Sequence, residues 1–213
     1  MTFSKKFPII FIVDQPINNR DFNRFRIKDF IDNGYNTKVL DLSLSNNKNS
    51  NCKSDLLLRY NKIIYSISNK NEILNFLNKI NKNSIVISLS SVNSNTFFIY
   101  KTLSNYKIKF GFLSFGTNPD FYQFISNNFL RNFLRNLKNE FIFFFTKVYS
   151  SFYIVGSKAD IDRSKHHILF NNKSEYIFYH NLDYDLFLEE KLKNNKIIKD
   201  KYAVFLDEAN TNH

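Results

Sequence analysis

The chain has 213 residues, with 30 Lys and Arg against 19 Asp and Glu, for a formal net charge of +11. At 43% hydrophobic and 17% aromatic, it carries apolar material for a sizeable core, and the composition disfavours disorder because so many rings require burial. A single cysteine, Cys52, excludes a disulfide scaffold and a Cys-rich zinc site, and it suits a reducing cytoplasm. No apolar run approaches the roughly 20 residues of a membrane span. The heavy Asn, Lys, Ile and Phe load follows an AT-rich coding bias, so the basic balance counts only in part as a sign of an anionic partner.

Short apolar runs alternate with segments of helical period, the pattern of parallel βαβ units. Residues 8–13 predict a strand buried on both faces, since Ile, Phe and Val follow one another without polar alternation. That run, ended by Asp14, is too short for the core of a signal peptide. Residues 20–33 predict one helix with Phe22, Phe25, Ile27, Phe30 and Ile31 on a broad apolar face, and Gly34 sits at its C-terminal cap. A strand over 35–42 follows, then an Asn- and Ser-rich loop over 43–53 and a strand over 63–67. A helix over 71–80 turns Ile73, Leu74, Leu77 and Ile80 inward. A strand over 85–89, a helix over 96–103 and a strand over 108–115 come next, closed by Gly116.

Asn118-Pro119-Asp120 has the residues of a helix start, and that helix is expected to run to about Val148. A strand over 153–155 ends at Gly156, and a strand over 176–179 follows a polar stretch over 166–172. A helix over 183–193, a linker over 194–200 and a strand over 202–206 complete the chain, that last strand reading as the opening of a further domain. Right-handed crossovers place the strands in one sheet. The expected fold is therefore α/β, a Rossmann-like, mostly parallel sheet with helices on both faces.

Open α/β sheets bind ligands at the carboxyl ends of their strands. Three such ends are informative: Asp14-Gln15, Gly116-Thr117-Asn118 and Gly156-Ser157-Lys158. Glycine lets a backbone approach a ligand closely, and a helix start presents free N–H groups to an anion; ordinary turn chemistry accounts for the same residues. Gly111, inside a strand, reads as a packing accommodation. The absence of GxGxxG, Walker A and GxSxG patterns disfavours a dinucleotide site, a P-loop and an α/β-hydrolase. The adjacent His166 and His167 point in different directions on a helix or strand and make a poor chelate pair, so neither metal nor cofactor is expected.

Between 121 and 148, Phe121, Ile125, Phe129, Phe133, Leu137 and Phe141 recur every three or four residues, accompanied by Arg131, Arg135 and Lys138. Such a segment reads as a helix laid against the sheet with a solvated basic face, or as an interfacial helix whose cations meet anionic lipid headgroups.

Three segments together resemble the N-terminal half of GT-B-like bacterial glycosyltransferases of surface-polysaccharide synthesis. They are PIIFIVDQPINNRDFNRFRIKDFIDNGYNTKVLDL (8–42), HNLDYDLFLEEK (180–191) and KYAVFLDEANTNH (201–213). One departure is Arg26, where the family has Gly after its Arg-Phe pair. The resemblance implies a Rossmann-like acceptor-side domain over 1–195, with 196–213 a linker and the first strand of a C-terminal domain. It implies a metal-independent transfer of sugar from a nucleotide-sugar donor, held mainly by that C-terminal domain, to a surface-polysaccharide or lipid-linked acceptor. Asp14 is then the candidate base, and Gln15, Gly116, Thr117, Gly156, Ser157 and Lys158 are candidate cleft residues. The expected location is cytoplasmic, at the inner face of the membrane, with nucleic acid not a partner. The alternative is a non-catalytic basic α/β domain that docks on anionic membrane or nucleic acid.

Overall fold

The structure, a computed structural model of the chain, describes residues 7–45, 59–90, 92–93, 95–113, 148–165, 169–179, 188 and 191–192. In chain order its elements are β1 (Ile9–Val13), α1 (Asn19–Arg24), α2 (Ile27–Asp32), β2 (Thr37–Asp41), β3 (Ile64–Ser66) and α3 (Lys70–Asn78). They continue as β4 (Ile85–Ser88), α4 (Phe97–Asn105), β5 (Lys109–Leu113), β6 (Phe152–Val155), α5 (Lys158–Lys165) and β7 (Glu175–Phe178). The strands form one seven-stranded sheet in the order β3-β2-β1-β4-β5-β6-β7, and every pairing is parallel. The Rossmann-like α/β expectation is met.

The chain builds outward from β1 in one direction to β3, then returns to build β4 through β7 on the other side. With one hand of crossover, that reversal puts the two sets of connecting helices on opposite faces. Ile10, Ile12, Leu40, Val86, Phe110 and Tyr153 form one face with Leu77 of α3 and Ile99, Tyr100 and Leu103 of α4. Ile9, Phe11, Val13, Val39, Ile87 and Phe152 form the other with Phe22 of α1 and Ile27 of α2. All five residues of β1 are buried, as a strand sandwiched between helices requires.

The single helix expected over 20–33 is instead two. Asn18 caps α1 by accepting the Asp21 N–H at 2.9 Å, and Phe25 and Arg26 close it with N–H bonds to Asp21 and Asn23. Arg26 then takes a left-handed φ of 55° before α2 begins. The cause is packing: Phe22 and Ile27 are both buried, yet five positions apart on a straight helix they would point about 140° apart. The break lets both reach the sheet. At the far end Gly34, at φ 75°, completes a Schellman turn. Its N–H bonds to Ile31 and that of Tyr35 to Phe30, while the Phe30 and Tyr35 rings meet edge to face at 5.7 Å.

The helix α5 is an addition to the expected elements. Its start is a local hydrogen-bonded box: the Ser157 hydroxyl donates to Asp160 Oδ2 at 2.8 Å and accepts the Asp160 N–H at 3.2 Å. Gly111 is a packing accommodation as expected, since a Cβ there would run into the Phe152 carbonyl and ring on the neighbouring strand. The helix and membrane-surface residues expected over 118–147, the strand over 202–206 and the domain boundary at 195 lie outside the described residues. Of the helix expected over 183–193, Leu188, Lys191 and Leu192 are described, and all three are helical. Among the described residues, no helix is long and apolar enough to cross a membrane.

Candidate site at the β1–β4 switch point

Between β1 and β4 the connections leave in opposite directions, which opens a crevice at the carboxyl edge of the sheet. The two strands are held in step there by the Leu89 N–H on the Ile12 carbonyl at 2.8 Å. The cavity they open measures about 160 Å³ and is lined by Val13, Asp14, Gln15, Ile17, Asp21, Phe25 and Leu89. Asp14 is half-buried and Gln15 exposed, whereas Ile17 is buried. The lining therefore joins two carboxylates and one amide to an apolar wall, with no cationic side chain among them. Carboxylates accept hydrogen bonds from donors and resist anions.

The end of β4 is held from beneath. Tyr100, fully buried on α4, donates to the Ser90 carbonyl at 3.2 Å and lies 2.8 Å from the Ser88 hydroxyl. The Ser90 N–H donates to Ser88 Oγ at 3.2 Å. Burial pushes the Tyr100 phenol well above its usual range, the serine hydrogen bonds oppose that shift, and the nearby Asp14 charge adds to it. The phenol thus stays a neutral donor, and it fixes the turn that forms one wall of the crevice.

The other predicted site residues divide. Asp14 and Gln15 share the cavity. Gly156, Ser157 and Lys158 follow β6 on the same edge, but three strand spacings from β1, about 14 Å. Their turn is largely self-satisfied: besides the Ser157 box, the Gly156 N–H donates to Asp160 Oδ2 at 3.2 Å. Gly116, Thr117, Arg131, Arg135 and Lys138 lie outside the described residues, as do Cys52 and the four histidines. Sequence reasoning missed Asp21, Phe25 and Leu89. Asp21 carried a signal, because Asn18 three residues earlier marks a helix start and aims that first turn at the end of β1. Leu89 carried none, since only the strand order places β4 beside β1.

Two further features of this edge serve the fold. Asp41 is buried at the end of β2, accepting the Ser43 N–H at 2.9 Å and the Ser66 hydroxyl at 3.4 Å, which ties β2 to β3. A cavity of about 280 Å³ beside Ser68, Lys70, Asn95 and Phe98 borders the start of α3. There Asn69 caps the Glu72 N–H, Glu72 accepts from Ser68, and the Lys70 ammonium lies 4.8 Å from the Phe98 ring centre. Among the described residues, no group of three or more His, Cys, Asp or Glu is placed to hold a metal.

Sheet order and crevice together define an α/β protein of Rossmann-like architecture with a small, acid-lined cavity at its topological switch point. Compared with protein-family models, curated proteins and solved structures, the chain matches none.

Proposed function

We propose that this chain is the acceptor-side part of a GT-B-like glycosyltransferase, which moves a sugar from a nucleotide-sugar donor to a surface-polysaccharide or lipid-linked acceptor. The observation that carries the reading is the switch-point cavity, where Asp14, Gln15 and Asp21 converge beside apolar side chains. A sugar presents hydroxyls to such groups and a CH face to such a wall. In this reading Asp14 takes the proton of the attacking hydroxyl as the new bond forms at the anomeric carbon and the nucleotide diphosphate leaves. Gln15 and Asp21 hold the acceptor's neighbouring hydroxyls, and the donor rests mainly on a second domain. A separate support is Arg26, whose left-handed φ of 55° falls at the position where the resemblance has glycine. That conformation is the one glycine adopts without strain.

The test is ligand-observed NMR with the chain and a panel of methyl glycosides. Weak binding is expected, weakened roughly tenfold or more by Asp14→Asn, a loss of about 1.4 kcal/mol. The chain alone is expected to show no sugar transfer, because a two-domain cleft orients its reactants only with both walls present. If no glycoside binds and anionic vesicles bind instead, the alternative of a membrane-docking α/β domain takes its place.

A further inference from the structure

Because all seven strands run the same way, the segments leading into them meet along one edge, opposite the crevice. Exposed cations precede β3, β4, β5 and β7 there, as Lys62, Lys82, Lys107 and Lys173. Rings precede β2, β1 and β6, where Tyr35, Phe7 and Tyr149 are 39%, 52% and 48% exposed. Every strand of the sheet thus brings a cation or a ring to this amino edge, in a row six strand spacings wide, about 29 Å.

The charge of the edge is one-sided. The segments 7–8, 33–36, 59–63, 79–84, 106–108, 148–151 and 169–174 hold no Asp or Glu, and Arg59 and Lys79 add to their cations. Asp32 ends α2 and Glu175 opens β7, and Lys109, opening β5, offsets one of them. The carboxyl edge carries both signs, with Asp14, Asp21, Glu72 and Asp160 beside Lys70 and Lys158. A coding bias toward Lys raises its number everywhere and does not clear acids from one edge. Helix dipoles account for Lys79 and Lys107, at the C-terminal ends of α3 and α4, but not for the exposed rings among them.

We propose that this amino edge docks on an anionic phospholipid surface, with its lysines at the headgroup phosphates and Phe7, Tyr35 and Tyr149 at the headgroup boundary. Two features select lipid over nucleic acid. A ring with an apolar body, tipped in Tyr by a hydroxyl, settles at the membrane interface. The row also spans the width of the sheet, which matches a plane of headgroups, whereas a single nucleic-acid strand requires a groove that tracks its backbone. The inference is independent of the glycosyltransferase reading, because it uses neither the crevice nor its carboxylates.

The experiment floats the full chain with phosphatidylcholine vesicles, with and without phosphatidylglycerol. Binding is expected to the anionic vesicles alone. Replacing Lys62, Lys107 and Lys173 together by Gln is expected to weaken it on the order of a hundredfold, since each cation near such a surface contributes about fivefold. A control replaces Lys28, Lys101 and Lys158 by Gln, which removes the same charge from other exposed positions. It is expected to lose less than about threefold, because charges held away from the lipid are screened. The chain has no Trp, so Tyr149→Trp provides a single reporter whose emission shifts to the blue on anionic vesicles. Leu44→Trp, 43% exposed beyond the carboxyl end of β2, is expected not to shift. Equal losses in the two triple variants reduce the effect to net charge and overturn the proposal. Failure to bind anionic vesicles also overturns it, and binding of single-stranded nucleic acid in its place assigns the edge to that partner. Glycoside binding, measured separately, is expected to be unchanged in the Lys62, Lys107 and Lys173 variant, so the two proposals fail independently.

Discussion

On one face of the sheet Tyr100, Phe110, Phe112 and Tyr153 pack ring against ring beneath α4, at centroid distances from 5.2 to 6.2 Å. On the other face Phe152 and Ile154 line a groove with Ile177, although their residue types are no less apolar. Hydrophobicity at strand positions is thus the same on both faces and does not determine which is covered. Crossover direction decides which elements lie on each: α3, α4 and Ile161 of α5 pack on one face, and α1 and α2, with Tyr60 and Ile63 of the β2–β3 connection, on the other. The difference teaches that the first face packs its rings against α4, whereas the second seats its apolar residues on α1 and α2 and, among the described residues, leaves Ile85 and Ile177 partly exposed.

The sharpest test of that contrast is a pair of truncations. Tyr100→Ala on the covered face should cost about 3–5 kcal/mol, as expected for a fully buried ring. Ile177→Ala on the second face, 47% exposed, should cost well under about 1 kcal/mol. Urea denaturation of both variants decides, and equal losses would break the comparison.

Gly111→Ala probes a close approach of β5 and β6 on the second face. The added methyl meets the backbone of β6 as well as the Phe152 ring, and backbone cannot swing aside. A loss of about 1–3 kcal/mol is expected from the same denaturation assay.

The buried phenols give the covered face a pH signature. Burial raises Tyr100 and Tyr153 above their ordinary values. Their neutral forms are therefore favoured in the folded state, and their contribution to stability is complete below the unfolded value of about 10. It should be lost as pH rises beyond that point, because the unfolded chain ionises first. Denaturation midpoints measured at stepwise alkaline pH should fall, and they should fall less steeply in Tyr100→Phe.

Smaller effects are expected where single turns are at stake. Ser157→Ala removes the hydroxyl that caps α5 and should cost about 1 kcal/mol in thermal or urea unfolding. Arg26→Gly should change stability in the opposite direction, by up to about 1 kcal/mol, since glycine relieves the left-handed backbone. A clear loss there would mean that the 3.2 Å Arg26–Asp29 pair outweighs the strain.

Much of this architecture is legible along the chain because its causes are local. The Ile- and Val-rich run of β1 shows a strand with two buried faces, Gly34 marks the end of α2, and the alternation of apolar runs with helical periods requires a parallel sheet. The Ser157–Asp160 box was also written locally, three residues apart, although no apolar period accompanied it to announce a helix. Other features had no local cause. The break at Arg26 exists because Phe22 and Ile27 must reach the same sheet, a demand that appears only once the sheet is in place. Leu89 joins Asp14 because β4 pairs with β1, while Gly156, equally plausible as a strand end, is carried about 14 Å away by two intervening strands. Strand order and the division of the core between two faces arise from long-range pairing and the hand of the crossovers, and neither leaves a period in the sequence.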